Sequence, residues 1–231
     1  MITAEMIQKR ASELGITIDG DTAAKLFAYY QAVERTNEQF NLTAITTPEE
    51  FLERHIMDSM VCASRPEVSG KVADVGTGAG FPGAVIGIVK DVDLTLIEAT
   101  QKKVDFAAME LRMLGRPCTK IHARAEDAAR SEFRETFDCV TSRGVAALPV
   151  LLEYCVPLVK TGGYFIAMKG AGAFEEERSE KAEKVLGVEL HEVIHYVLKN
   201  GVKHDLIIYK KTAPTGDAYP RRGDRIRKSP L

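Results

Sequence analysis

From Lys71 to Lys169 the chain repeats one pattern, and that pattern constrains its fold more than any other feature. Short apolar runs, "KVADVG", "VDLTLIE", "CTKIHA", "FDCVTS" and "GYFIAMK", alternate with helical stretches such as "ATQKKVDFAAMELRMLG". Strands that are apolar throughout, joined by amphipathic helices, predict βαβ units whose parallel sheet is covered on both faces. The rhythm breaks at the end. "VELHEVIHYVLKNGVKHDLIIYKK" reads as two strands joined at Asn200-Gly201, a strong hairpin signal, so the last strand pair is expected to be antiparallel. The expectation is an α/β fold with a seven-stranded, mostly parallel sheet of Rossmann-like type, finishing in an antiparallel C-terminal hairpin.

The first 66 residues are different in kind. "AEMIQKRASELG", "DTAAKLFAYYQAVERTNEQF" and "TPEEFLERHIMDSMVCASR" carry helical periodicity and no strand signal, with Thr47, Pro48 and Glu50 spelling a helix start and capping box. Three parts follow: a helical extension over 1–66, the sheet domain over 67–212, and a tail over 213–231 in which no apolar period is visible. With 45% hydrophobic and 28% charged residues the composition is that of a globular protein, and no apolar run reaches the length of a membrane span. The N-terminus has no apolar signal core, so a cytoplasmic location without membrane contact is expected. Cys62, Cys118, Cys139 and Cys155 are irregularly spaced and suggest neither a zinc site nor a disulfide framework. A formal charge of −2 argues against indiscriminate coating of nucleic acid, so any such partner must meet a local patch.

"VADVGTGAGFPG" places Gly76, Gly78 and Gly80 where the first strand hands over to a helix. Glycine there lets backbone amides approach a ligand. The spacing is GxGxG with Phe81 standing where a dinucleotide fingerprint needs its third glycine, which disfavours NAD. Glu98 ends the second strand, where an acid can accept hydrogen bonds from both ribose hydroxyls of a nucleoside. Asp74, inside the first strand, needs a partner for a buried carboxylate, and a ligand's ammonium group is one. An amine, a ribose and no phosphate describe S-adenosylmethionine. Arg143 follows the fourth strand, which should neighbour the first, and so belongs at the switch-point crevice or at an exposed strand end.

With these residues in place, the chain resembles the class I methyltransferases, and in particular the bacterial 16S rRNA guanine-N7 methyltransferases of the RsmG (GidB) type. The resemblance rests on "NEQFNLTAI" with "RHIMDSM", on "DVGTGAGFPG", on "TSRGVAALPVLLEYCVPLVKTGGYFIAMKG" and on the tail "YPRRGDRIRKSPL". It implies methyl transfer from S-adenosylmethionine to N7 of a guanine in the 530 loop (nucleotide 527) of 16S rRNA, with S-adenosylhomocysteine as product and the RNA or the 30S subunit as partner of a monomer. It also implies donor contacts from Gly76, Phe81, Ala125, Glu126 and Arg143. Two departures stand out: the spacing from Glu126 to Arg143 is longer than in the family, and "GDRIR" is more charged than family tails.

The remaining candidates keep two readings each. His55 and Asp58, three apart on one helix face, serve packing or shape the RNA pocket, and Asn41 is treated likewise. Lys169, past the fifth strand, is a solvated lysine or an RNA contact. In the tail, Arg221, Arg222, Arg225, Arg227 and Lys228 outnumber Asp217 and Asp224 and form a solvated run or a phosphate-binding arm with Tyr219 as a stacking residue. No metal cluster and no acid–base residue is expected, because guanine N7 carries a free lone pair and no proton. A small-molecule methyltransferase and a non-catalytic ribosome-assembly RNA-binding protein are the alternatives.

Overall fold

The computed structural model describes residues 2–199 and 201–231. Two helices open the chain, α1 (Ala4–Glu13), capped by the Thr3 hydroxyl, and α2 (Gly20–Asn37), capped by Asp19. A composite helix follows: α3 (Pro48–Phe51), a π-helical turn (Leu52–Met57) and α4 (Asp58–Ala63). Thr47 sits at its N-cap, but the expected capping box is not made. Its hydroxyl donates to the Glu50 carboxylate at 3.1 Å instead of either side chain reaching a backbone amide.

The alternating pattern folds as expected into β1 (Lys71–Val75), α5 (Gly83–Val89), β2 (Asp93–Glu98), α6 (Gln101–Met113), β3 (Thr119–His122), α7 (Ala125–Ala128), β4 (Phe137–Arg143), α8 (Leu148–Cys155) and β5 (Val159–Gly170). Then come α9 (Ala173–Glu177), α10 (Glu180–Leu186) and the hairpin strands β6 (Val188–Val197) and β7 (Lys203–Lys211). The seven strands lie in the order β3-β2-β1-β4-β5-β7-β6, with β7 antiparallel to both its neighbours and the other pairings parallel. Asn200 of the expected turn lies outside the described residues. The order reverses between β1 and β4, which opens a crevice at their carboxyl ends.

Alternation along each strand sends side chains to two cores. On one face Val72, Leu94, Leu96, Cys139, Ile166 and Ile208 pack under α5, α6 and the N-terminal helices. On the other, Ala73, Ile97, Val140, Phe165 and Ile207 pack under α8 and α10. The N-terminal helices therefore share a core with the sheet. The tail is more ordered than its composition suggests: α11 (Gly223–Lys228) buries Ile226 completely against the second core. One apolar anchor suffices, which is why no period announces it. Three of the four free cysteines are buried and Cys118 is half-buried. Among the described residues no helix is long and apolar enough to cross a membrane, and no group of acids, histidines and cysteines could hold a metal.

Candidate active site

Two cavities open at the carboxyl ends of the strands and meet at Gly144, which lines both. The first, about 380 Å³, lies over β1 and β2, between the glycine loop and the segment 123–126. Gly76 and Gly78 carry it on positive φ angles of 71° and 55°, a conformation that L side chains rarely adopt. A Cβ on Gly76 would fall 2.3 Å from a Val145 methyl, whereas one on Gly78 meets nothing nearer than a carbonyl at 3.9 Å. Glu98 ends β2 on the same cavity. Its Oε2 accepts from the Gly78 amide at 3.0 Å and its Oε1 from the Thr100 amide at 2.9 Å. Each oxygen is aimed by one bond and retains a lone pair for a ligand hydroxyl. Ala125 and Glu126, at the start of α7, form the opposite bank, with Tyr154 of α8 beside them. A bare backbone wall, an oriented carboxylate and this volume fit a nucleoside.

Asp74, Gly80 and Phe81 face away from this cavity. Asp74 is fully buried on the side of the N-terminal helices, where Oδ2 accepts from the Gly83 amide at 2.8 Å and Oδ1 from the Thr141 hydroxyl at 3.0 Å. Its partners are thus internal, and they account for the buried carboxylate without a ligand's ammonium group. Burial pushes its carboxyl up to about 6, against the pull of those hydrogen bonds. Gly80 is bare because of α2: a Cβ there would lie 2.0 Å from the Tyr29 hydroxyl, which donates to the Ala79 carbonyl at 2.8 Å. Phe81 turns inward, stacked on His55 at 4.4 Å between ring centroids and edge-on to Tyr29 and Phe51.

The second cavity, about 500 Å³, runs from Gly144 across β5 to β7. Arg143 lines this one, directly before the shared Gly144. Its guanidinium is locked by the N-terminal helices: it donates to Asp58 Oδ2 at 2.9 Å, to His55 Nδ1 at 2.7 Å and to the Arg54 carbonyl. The π-helical turn makes this possible, since its wider winding presents Arg54, His55 and Asp58 to one arginine. His55 in turn reaches the Thr43 hydroxyl through Nε2 at 2.8 Å. Because Nδ1 accepts from Arg143, the ring proton resides on Nε2. Burial and the adjoining Arg143 and Arg54 charges hold this histidine neutral, down to about 3. Asp58, 2% exposed, also takes the Tyr196 hydroxyl at 2.5 Å on Oδ1, and His204 Nδ1 stands 3.4 Å from the same oxygen. Lys169 reaches the cavity from β5, held by Glu177 at 2.8 Å and the Ala146 carbonyl at 3.1 Å.

Asn41 is exposed and lines neither cavity; Asn37 orders that loop instead, its side chain accepting from the Leu42 and Thr43 amides. In the tail, Arg221 is paired within the protein. It forks onto the fully buried Glu153 with contacts of 2.6 to 3.2 Å. Tyr219 is half-buried with the Arg221 guanidinium 5.9 Å from its ring centre, and its carbonyl accepts from Arg134. Arg222, Arg225, Arg227 and Lys228 are exposed. Arg227 reaches the Tyr154 hydroxyl at 3.4 Å, while Arg222, Arg225 and Lys228 join Arg130 around a polar hollow of about 590 Å³. Sequence reasoning missed Tyr29, Tyr196 and His204, none of which stands in a motif, and Thr43, which stands in "NEQFNLTAI" but was not singled out. It noticed Asp58 only through its spacing from His55.

The family described as rRNA small subunit methyltransferase G (GidB) matches residues 22–206. A ribosomal RNA small subunit methyltransferase G from Desulfitobacterium hafniense is 46% identical, the alignment covering 94% of this chain and 93% of that protein. One of the same name from Caldanaerobacter subterraneus is 41% identical over 98% of both. Among solved structures, the O-methyltransferase from Bacillus cereus in complex with SAH superimposes with a TM-score of 0.57 at 16% identity, covering 90% of this chain and 98% of that one. A ribosomal protein L11 methylase from Lactobacillus delbrueckii subsp. bulgaricus gives 0.53 at 16% identity, covering 68% and 79%. These likenesses place the fold in the Rossmann-like class I group.

Proposed function

The chain belongs to the rRNA small subunit methyltransferase G family, and from that premise we propose that it methylates N7 of one guanine, nucleotide 527, in the 530 loop of 16S rRNA. S-adenosylmethionine is the methyl donor and S-adenosylhomocysteine the product. The observation that carries the reading is the pair of cavities sharing Gly144, one built for a nucleoside and the other lined by donors for an electron-rich base.

The donor supplies an electrophilic methyl on sulfur. Within the chain, Glu98 takes the ribose hydroxyls, Gly76 and Gly78 let the ligand lie against the backbone, and Ala125 and Glu126 close over the adenine. The base enters the second cavity, where Arg143 and Lys169 present N–H groups to O6 and leave the N7 lone pair free. Guanine N7 attacks with its own in-plane lone pair, so no side chain need remove a proton, in keeping with a neutral His55 engaged on both ring nitrogens. Transfer moves one positive charge from sulfur to the base and leaves the charge of the site unchanged. Arg143 and Lys169 do not repel the cationic product strongly, because Asp58 and Glu177 neutralise them. Catalysis is then mainly alignment of nucleophile, methyl and sulfur. Arg222, Arg225, Lys228 and Arg130 hold RNA phosphates outside the pocket, in the cytoplasm where ribosomes are assembled.

The test is methyl transfer from tritiated S-adenosylmethionine into 30S subunits lacking the modification, against fully modified subunits, with the labelled base mapped. Label confined to the unmodified subunits and mapped to guanine N7 is expected. Donor binding without transfer to any RNA would send the substrate search to small molecules.

A further inference from the structure

The tail helix backs one bank of the first cavity. Gly223 opens α11 without a positive φ, so the backbone conformation does not call for glycine there. Space does: a Cβ would fall 1.9 Å from Glu126 Oε1 and 3.3 Å from Arg227 Nη1. Glu126 is buried, at 6% exposed, and among the described residues no N–H or O–H group bonds to its carboxylate. Packing against the bare Gly223 is therefore what limits where that carboxylate can lie. One turn on, Arg227 Nη1 donates to the Tyr154 hydroxyl at 3.4 Å. Glu126 and Tyr154 both line the first cavity, whereas Gly223 and Arg227 do not. The opposite side of the same segment belongs to the basic hollow: Arg130 lines it with Arg222 and Arg225, and its Nη1 donates to the Glu126 carbonyl at 3.4 Å. Buried Ile226 and the fork of Arg221 on Glu153 fix α11 against α8, next to Tyr154.

Taking the first cavity as the seat of the methyl donor, as above, we propose that Gly223 and Arg227 are positioning residues for the donor: the tail helix holds Glu126 and Tyr154 where they close over the nucleoside. Gly223 acts by leaving room for the Glu126 side chain, and Arg227 by holding the Tyr154 hydroxyl. The tail then has two tasks on two faces. Arg222 and Arg225 meet phosphates in the hollow, while Gly223 and Arg227 support the nucleoside cavity from behind. A side chain added at 223 must either move the carboxylate or tilt α11 away from it. The first displaces Glu126 and the second takes Arg227 from Tyr154, so the bank shifts in both cases. The nucleoside lies at that bank, and the reacting methyl lies towards Gly144 where the two cavities meet. The cost therefore falls on donor binding and not on the chemical step.

The experiment measures S-adenosylmethionine affinity by calorimetry, and steady-state methylation of unmodified 30S subunits, for wild-type protein and a set of variants. These are Gly223→Ala, Glu126→Ala, the two together, Arg227→Ala and Arg227→Lys, with Glu98→Gln as the marker of the cavity. Gly223→Ala is expected to bind the donor about 3- to 10-fold more weakly, the scale of one hydrogen bond. KM for the donor should rise by the same factor while kcat at saturating donor is kept. In the Glu126→Ala background the collision is gone, and the same change should cost nothing further. Arg227→Ala should weaken donor binding as well, and Arg227→Lys, which can still donate to the Tyr154 hydroxyl, should restore part of it. Wild-type donor affinity in both Gly223→Ala and Arg227→Ala would overturn the proposal. So would a Gly223→Ala loss that persists in full without the Glu126 side chain, or that comes with a matching fall in kcat, either of which marks a merely structural glycine. Unaltered donor binding in Glu98→Gln would instead overturn the reading of the first cavity on which this rests.

Discussion

His55 makes the stability of this protein sensitive to mild acid, and the size of the effect can be worked out. Its ring is buried between Phe81 and Arg143 and stays neutral down to about 3, whereas in the unfolded chain it titrates near its ordinary value of about 6.5. Between those two values the unfolded state binds a proton that the folded state refuses. Stability from this group is therefore complete above about pH 6.5 and falls as the pH drops towards 3. From pH 7.5 to 5.5 the linkage amounts to about 1.4 kcal/mol, or about 3 to 6 °C in melting temperature for a chain of this size. Asp74 acts in the opposite sense. Its carboxyl, pushed up to about 6, is favoured in the protonated form by the fold, so it adds stability as the pH falls through that value. A comparison of wild-type protein with His55→Gln cancels Asp74, which both contain. Urea unfolding followed by circular dichroism at the two pH values should show wild-type protein losing about 1.4 kcal/mol more than the variant. Equal losses would refute the picture of a neutral, doubly bonded imidazole.

Other expected outcomes follow from single contacts. Glu98→Gln keeps one oxygen for the Gly78 or Thr100 amide but loses the charge aimed at the ribose, and should weaken donor binding about 10-fold by calorimetry, the scale of one charge-assisted hydrogen bond. Gly80→Ala drives a methyl into the Tyr29 hydroxyl at a positive φ of 96°; chemical denaturation should show a loss of about 2 kcal/mol, and the Tyr29→Phe background should recover part of it. Arg221→Ala strands the buried Glu153 carboxylate and should cost about 3 to 5 kcal/mol in urea unfolding. The paired change Arg222→Ala with Arg225→Ala should leave that unfolding curve in place while weakening RNA binding and flattening its dependence on salt.

What could be read from the amino acids was whatever depends on neighbours in the chain. The strands announced themselves because buried parallel strands are apolar over short runs, and Glu98 could be placed at the cavity because it ends a strand. What could not be read are the partners that lie far along the chain. Arg143 meets Asp58 from 85 residues away, and Arg221 meets Glu153 from 68. No local pattern encodes such a meeting, so an arginine that neutralises a buried acid looks the same as one waiting for a phosphate. Gly80 was legible as a glycine but not for its reason, since the atom that forbids a side chain there belongs to Tyr29, in another helix. The π-helical turn was invisible for a different cause: it differs from an α-helix by one step in hydrogen-bond register, and propensities do not distinguish the two.

The hydroxyl of Tyr29 on the carbonyl of Ala79 has a consequence for how chains of this kind can be altered by recombination. A crossover between two methyltransferases near residue 66 would join one parent's helices to the other's glycine loop, and the phenol and the bare glycine opposite it would then come from different lineages. Unless both parents carry that pair, the hybrid inherits either a collision or an empty notch beneath the loop. The first two helices and the glycine loop are therefore expected to be inherited as a linked block, although 50 residues separate their points of contact.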